Sequence, residues 1–435
     1  MNVVLAKAET GRAMDNVLTM ARERLPGTAG VAETRRSAFE VYEHAGLPNR
    51  RIEEWKYTDL RVLLREVKPL AARPDGSAIK RARAALKSVA IKGGATRLVL
   101  VDGAFVRELS DPAEAGISIQ SLREGLERGE SHLLETDVKD AMLSLNAALA
   151  TDGVVVDVAD GTALSRPLQI IHVATASSSS AVSRSQIRIG KGSRVTLVEN
   201  FVAAEGAKAY HAHDTLLLSV GDGVELSQVR LMADSADAAN ITSAIVAVGA
   251  RARLNLFNMT TGGAISRYQG FVTLAGEGSE LKVNGVNLLM GTQHGDTTLL
   301  VDHAVPHCTS REVFRAVVDD RAHSVFQGRI IVRPDAQKTD GKMMTRALLL
   351  SDEAEADNKP ELEIFADDVT CGHGATAGAL DESLLFYLRA RGLSEKAAQA
   401  LLIQAFVGEA IEDIADDDLR DAVTTTAERW LEARS

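Results

Sequence analysis

The chain has 435 residues, of which 45% are hydrophobic and 25% charged, a composition typical of a globular protein with two or three domains. Its formal net charge of −11 gives no electrostatic support for a nucleic-acid or anionic-membrane partner. Two cysteines argue against a disulfide framework, and the first residues lack the apolar core of a secretory signal. No apolar run approaches the length of a membrane span, so we expect a cytoplasmic protein.

The N-terminal part, residues 1–95, is predicted to be mainly helical. Val17, Leu18 and Ala21 recur at helical spacing, and a second helix is expected from Thr34 to His44. An aromatic segment, EEWKYTDL, follows at residues 53–60.

In that segment Trp55 and Tyr57 are most simply interpreted as core anchors, with stacking on a cofactor as the alternative. Residues 71–95 are typical of a linker with an exposed basic helix.

Residues 96–375 are predicted to form a β-strand core. Strands are expected at 97–103 and 153–158, with a helical segment over 120–150 between them. A Gly-x-Gly-like turn then recurs with its first glycine at positions 190, 221, 249 and 276, at intervals of 31, 28 and 27. Each copy has a strand before the turn and an alternating apolar–polar strand after it.

This recurrence predicts a right-handed parallel β-helix, clearest over residues 160–370. One such unit cannot cover its own apolar face, but stacked units can. Two strands per repeat without a helix argue against a βαβ sheet, and a β-sandwich would not repeat at this interval.

The C-terminal part, residues 376–435, is predicted to be helical. One helix carries the apolar stripe of Leu384, Leu385 and Leu388. A second begins after Ser394, and a third is expected from Asp418 to about Ala433. In the second helix Leu401, Leu402, Phe406 and Ile411 recur at helical spacing, and we expect part of this stripe to stay uncovered by the solenoid.

The motif CGHG at residues 371–374 places a thiol two positions from an imidazole. These side chains are ligands that iron and copper prefer, so Cys371 and His373 are candidate metal or cluster ligands. The alternative is a tight turn with a buried thiol, since glycines flank the histidine.

A second group of potential ligands, His294, Asp296, His303 and His307, lies close to Cys308 in the sequence. Their spacing is not that of a helical pair, so we favour an ordinary polar solenoid face spread over two coils.

The histidines His211 and His213, next to Asp214, share one face of a predicted strand. That arrangement could hold a metal, but surface polarity is the preferred interpretation. Neither Gly190-Lys191 nor Gly341-Lys342 lies in a phosphate-binding loop, so ATP hydrolysis would need another subunit.

Several motifs together resemble the SufB/SufD family, the scaffold subunits of the Suf iron–sulfur cluster assembly machine. They are EWKYTDL at 54–60, FQGRI at 326–330, AQKTD at 336–340, LLLS at 348–351, KPELEI at 359–364, CGHGAT at 371–376 and LDESLLFYLRARG at 380–392. CGHGAT and the segment after it look like SufD rather than SufB, whose cysteine-rich cluster motif is missing here.

The resemblance implies a β-helix and a non-enzymatic scaffold in a complex with SufB and the SufC ATPase. It implies that His373, with Cys371 beside it, assists cluster assembly at the SufB contact, and that the C-terminal helices dock SufC. For that contact our candidates are Leu401, Leu402, Phe406 and Ile411.

Two cysteines, 63 positions apart, are too few to hold a four-iron cluster, so we expect the lone subunit to bind no cofactor stably and to meet the cluster or iron transiently. The sequence leaves open whether a flavin binds and whether the isolated chain is a homodimer. The alternatives are a SufB-like scaffold, a carbohydrate-active β-helix enzyme and a purely structural solenoid.

Overall fold

The structure is a computed structural model that describes residues 25–64 and 66–434. The helix expected around Val17, Leu18 and Ala21 lies outside these residues. Across the described residues, no helix combines the length and the apolar character that crossing a lipid bilayer requires.

The described helices lie almost entirely at the two ends of the chain. They are α1 (Ala29–Ala45), α2 (Leu60–Leu63), α3 (Gly76–Ala85), α4 (Leu122–Glu127), α5 (Ala141–Leu149), α6 (Glu382–Ala390), α7 (Glu395–Ile411) and α8 (Asp417–Ala433). Short 3₁₀ turns cover Glu53–Trp55, Leu86–Val89, Arg107–Leu109 and Ser131–Leu134. The segment predicted to be helical over 120–150 therefore contains two helices with a 3₁₀ turn between them.

From β4 onward the strands alternate between two facing sheets. They are β1 (Thr96–Val101), β2 (Ala104–Phe105), β3 (Ile117–Ser121), β4 (Val154–Val158), β5 (Leu168–Ala174), β6 (Ser180–Ile189), β7 (Arg194–Ala203), β8 (His211–Val220), β9 (Glu225–Ala233), β10 (Ala239–Val248), β11 (Arg253–Thr260), β12 (Ile265–Leu274), β13 (Glu280–Leu289), β14 (His294–His303), β15 (Thr309–Val318), β16 (His323–Val332), β17 (Asp340–Leu349), β18 (Glu355–Ile364) and β19 (Thr370–Gly378).

One sheet has ten strands in the order β19-β17-β15-β13-β11-β9-β7-β5-β1-β2, and the other has nine in the order β18-β16-β14-β12-β10-β8-β6-β4-β3. Among the strands from β4 to β19 the pairing is parallel, and the strands from β6 to β17 are each bonded to strands of the coils before and after them. The predicted parallel β-helix is confirmed, and the described part of the chain completes about eight coils.

The interior is filled by side chains at alternate positions of each strand. Val195, Leu226, Leu254 and Leu281 hold matching positions in this core, and the residues on either side of each one face outward. Because parallel strands keep the same register from coil to coil, apolar side chains stack in ladders along the solenoid.

The Gly-x-Gly recurrence has two separate physical causes. A Cβ added to Gly276 would lie 1.9 Å from the backbone nitrogen of Ala250. The first glycine therefore allows one coil to turn in contact with the backbone of the preceding coil. The second glycine, such as Gly278 with φ 72°, adopts the left-handed region that turns the corner.

The outer faces of both sheets are covered by the terminal helical regions. α1, α5 and the segment around Trp55 pack on the nine-stranded sheet, with Val182 and Ile241 in the shared cluster. On the ten-stranded sheet, Ile403 and Trp430 of α7 and α8 pack against Phe257. This leaves the last coil as the part of the solenoid with the least cover.

Trp55 anchors the N-terminal region to the solenoid. Its side chain is buried, its ring lies under the guanidinium of Arg267, and Arg267 is ion-paired with Asp296. Thr58 donates a hydrogen bond to the same carboxylate and contacts the ring of His294 at 2.9 Å. The core interpretation is therefore correct for Trp55, and Arg267 already occupies one face of its ring.

Candidate functional site

The two ends of the solenoid differ. At the N-terminal end the sheets finish in β2 and β3, short strands that run antiparallel to their neighbours. At the C-terminal end they finish in β18 and β19, which are long parallel strands bonded on one side only within the described residues. We call this second end, with its two strand edges, the open end.

The CGHG motif lies at the open end. Residues 370–378 form β19, so the motif is an extended edge strand rather than the tight turn considered as an alternative. Cys371 pairs with Gly341 of β17 and His373 pairs with Met343. Gly341 and Met343 are buried, so Cys371 and His373 share the inner face of the coil.

The two side chains differ in exposure because the later residues of β19 are less covered by the rest of the protein than the earlier ones. Cys371 is half-buried and packs against the main core, whereas His373 is exposed. Burial raises the pKa of the Cys371 thiol, the Gly341 backbone hydrogen bond lowers it, and the charges of Asp340 and Glu312 raise it further.

The strand opposite, β18, supplies the rest of the inner face. Asn358, Pro360 and Leu362 pair with the inward residues of β16, and Asn358 accepts a hydrogen bond of 2.8 Å from Thr345. At the corner after β18, Phe365 is 60% exposed, which leaves an apolar ring open to a partner.

Two positions apart on one strand face, Cys371 and His373 have Cα atoms about 7 Å apart. They can contribute at most one thiolate and one imidazole, both of which are ligands of iron. A cluster bound here needs further ligands from outside the chain.

The second cysteine, Cys308, is not at the open end. It is fully buried at the corner before β15, where its Sγ lies 3.4 Å from the carbonyl oxygen of Gly276. Both thiols are free, and burial raises the pKa of Cys308 as well.

The histidines near Cys308 do not form a site. His294 and Asp296 face outward beneath the N-terminal segment, whereas His303 faces inward and contacts Ser310 at 3.0 Å. His307 is exposed at a corner with φ 61°. The group occupies one coil rather than the expected two, but on opposite faces of the sheet.

His211 and His213 also lie on the outer face, as their spacing predicts, but they are not at the surface. The N-terminal region covers them, and burial lowers the pKa of each to about 4. Asp214, the next residue along β8, points the other way into the solenoid, where Ser183 donates a hydrogen bond to it.

The proposed partner-binding stripe on α7 is divided by the fold. Leu401 is exposed and Leu402 is half-buried, but Ile411 is only 4% exposed and Phe406 packs against the solenoid cluster. Ile411 is therefore unavailable as a contact residue in this structure, because α7 uses that side to cover the ten-stranded sheet.

An apolar surface that the sequence stripe did not include lies on α6. None of its residues is buried, and Phe386 is 75% exposed. We call this surface the α6 patch; it consists of Leu384, Phe386 and Tyr387 of α6 and of Leu393, which follows the helix. The signal was present in LLFY, where apolar residues surround the helix instead of following one stripe.

The fold and the open end define a class: a capped β-solenoid with ligand-type side chains on an uncovered terminal strand. Comparison with protein families agrees with this description. Residues 26–170 match the SufBD protein N-terminal region, and residues 172–406 match the SufBD core domain of SUF-system FeS cluster assembly. The chain belongs to the SufBD family of iron–sulfur cluster assembly proteins.

Individual relatives point to the same family. The chain is 31% identical to the iron–sulfur cluster assembly protein SufD of Escherichia coli, over 87% of this chain and 88% of that protein. It is 29% identical to the SufBD family protein slr0076 of Synechocystis, over 87% of this chain and 86% of the relative. SufD of Bacillus subtilis is 24% identical over 72% of each chain.

Proposed function

We propose that this chain is a SufD-like, non-enzymatic scaffold subunit that completes an iron–sulfur cluster site with a SufB-type partner at the open end. The observation that carries the proposal is the position of His373, exposed on the inner face of an edge strand whose outer edge is free in the described structure. An edge strand of this kind is a template for pairing with another chain.

The supply of ligands supports a shared site. Cys308 is buried at the corner before β15, so Cys371 is the one thiol of the last strand, with His373 beside it. A four-iron cluster usually takes about four thiolates. The partner would provide the missing ligands, and the cluster would be the cargo of the complex rather than a resident cofactor of this chain.

The α6 patch supports a second contact, with a SufC-type ATPase. It is apolar, clustered, and connected directly to the end of β19. Exposed apolar patches commonly mark protein–protein contacts. The free thiols suit a reducing compartment, which favours a cytoplasmic complex.

Reconstitution of the complex with iron and a sulfur donor tests the role of His373. His373→Ala should abolish cluster absorbance while all subunits still co-elute, because an exposed side chain contributes little to folding. Cys371→Ala should have a smaller effect, since a partner thiolate and His373 can still hold iron, and Cys308→Ala the smallest.

The matched control is Thr376→Ala, an exposed residue on the outward face of the same strand. His373→Cys should restore part of the activity, because a thiolate is also an iron ligand. Normal cluster formation by His373→Ala would exclude the ligand role. Loss by both His373→Cys and the threonine control would show that the strand serves the interface alone.

A further inference from the structure

The first coils of the solenoid enclose a polar cluster that the open end does not use. His172 of β5 and Glu199 of β7 come from the ten-stranded sheet, and Asp214 of β8 comes from the nine-stranded sheet opposite. Their neighbours two positions along, such as Leu197 and Leu216, are core residues, so all three side chains face inward.

The three side chains converge on one point. One ligand atom from each lies within 4.8 Å of the other two, and Nδ1 of His172 is 4.0 Å from Oδ1 of Asp214. The latter separation is too long for a hydrogen bond. For three atoms this close, some point lies within about 2.8 Å of all of them, so small side-chain movements would reach metal–ligand bonds of about 2.0–2.2 Å.

Asp214 also carries an unpartnered oxygen. Oδ2 of Asp214 has no hydrogen-bond partner, although the residue is only 2% exposed. A cavity of about 30 Å³ lies beside it, lined by His172 and Asp214 and by two further carboxylates, Asp102 and Asp234. That volume has room for an ion or a water molecule.

Neighbouring groups hold the ligands in orientation. Ser183 donates to Asp214 Oδ1 at 2.7 Å, and Gln228 donates to Glu199 Oε2 at 2.6 Å. The ring of His172 stacks on Phe201 with centroids 4.2 Å apart and an interplanar angle of 7°. Supporting contacts of this kind fix ligand orientation in metal sites.

Arg230 accounts for the stability of the cluster without an ion. Its Nη1 lies 3.0 Å from both oxygens of Glu199, and its guanidinium sits between the rings of Phe201 and Tyr268. The arginine neutralises one of the two carboxylates, and a bound cation would have to compete with it.

We propose that His172, Glu199 and Asp214 bind one divalent transition-metal ion, such as Fe²⁺ or Zn²⁺, inside the solenoid. One imidazole and two carboxylates form a nitrogen–oxygen donor set suited to such ions, and the set contains no thiolate. The stacked position of the His172 ring on Phe201 leaves its Nδ1 facing Asp214, 4.0 Å from Oδ1. This site lies in the first coils, remote along the chain from His373 in the last.

The test uses the full chain carrying Cys371→Ala and His373→Ala, so that no ion is held at the open end. The probe is Co²⁺, followed by its visible absorption, with Zn²⁺ titrated by calorimetry. We expect one ion per chain. Asp214→Asn and His172→Phe should each weaken binding at least tenfold, whereas Arg230→Gln should tighten it because the competing charge is lost.

The matched control is His303→Phe, which changes another buried, inward-facing histidine outside the cluster. It should leave the affinity unchanged, and thermal melting should show every variant folded. Absence of stoichiometric Co²⁺ and Zn²⁺ binding, or equal affinity in Asp214→Asn, would overturn the proposal. If His172→Phe fails to fold, Asp214→Asn, which keeps the side-chain volume, decides the question.

Discussion

The guanidinium carbon of Arg267 lies 3.7 Å from the ring centroid of Trp55, which joins the N-terminal region to the middle of the solenoid. The same arginine donates to the backbone oxygen of Glu54 at 2.7 Å and is ion-paired with the buried Asp296. One stacked pair thus fixes the N-terminal segment across the nine-stranded sheet.

Replacing Trp55 by alanine should lower the free energy of unfolding by about 3–5 kcal/mol, because it removes a buried aromatic ring and leaves a cavity beside Arg267. Denaturant unfolding of the full chain measures this change. Tyr57→Ala is the control, since Tyr57 is only half-buried. A loss below about 1 kcal/mol in the tryptophan variant would contradict the anchoring role.

The two glycines of one repeat should respond differently to alanine. At Gly276 the new Cβ would meet the backbone 1.9 Å away, so two coils must separate and a loss of more than about 3 kcal/mol is expected. At Gly278 nothing but a side-chain carbon at 3.7 Å is near, and only the positive φ is strained, at about 1–2 kcal/mol. Equal losses in thermal unfolding would refute this division of roles.

Glu312 should make the stability depend on pH. It is buried on the inner face of β15, neither carboxylate oxygen has a hydrogen-bond partner, and burial raises its pKa to about 8 despite Ser310 and Arg311 nearby. The unfolded chain ionises this group near its ordinary value while the folded chain keeps it protonated. The contribution of Glu312 to the free energy of unfolding is therefore fully present at low pH and is lost as pH rises towards 8.

Glu312→Gln removes this titration. Relative to the variant, the wild type should lose roughly 2–4 kcal/mol of unfolding free energy between pH 5 and pH 8. Urea midpoints at the two pH values provide the measurement, and Glu353→Gln, at an exposed position, is the control. Parallel pH profiles for wild type and Glu312→Gln would be inconsistent with a buried neutral carboxyl.

The proposed contact with an ATPase subunit should depend on the α6 patch, whereas folding should not. A double change, Leu384→Asp with Phe386→Asp, places two charges in an exposed apolar surface and should abolish co-purification of the ATPase. Val41→Asp, an exposed apolar position on α1, is the control. Unchanged melting temperatures with retained ATPase binding would assign the contact elsewhere.

The solenoid could be predicted because its cause is local and periodic. One glycine leaves room for the neighbouring coil, and a second adopts the positive φ that turns the corner. Both must recur once per coil, and that recurrence is visible in the sequence. The late position of Cys371 and His373 in the solenoid could be expected from the sequence, but the strand conformation of CGHG could not, since glycine-rich segments favour turns until a neighbouring strand, here β17, supplies backbone hydrogen bonds.

Two other differences have simple geometric causes. His294 and His303 begin and end the same strand, and residues an odd number of positions apart face opposite ways, so they could not have formed one site. Ile411 was assigned to a partner because an apolar stripe does not say which surface covers it. The ten-stranded sheet covers Ile411, while Leu401 of the same stripe stays exposed.

The difference between the ends of the solenoid has a consequence for stoichiometry. β2 and β3 end one side of the rod with short antiparallel strands, whereas β18 and β19 end the other side with long parallel edges. If the proposed partner is a rod of the same kind, pairing of the two open ends covers the long edges of both. Such a pair would present the short antiparallel strands at its two outer ends, which makes further growth into a fibre less favourable.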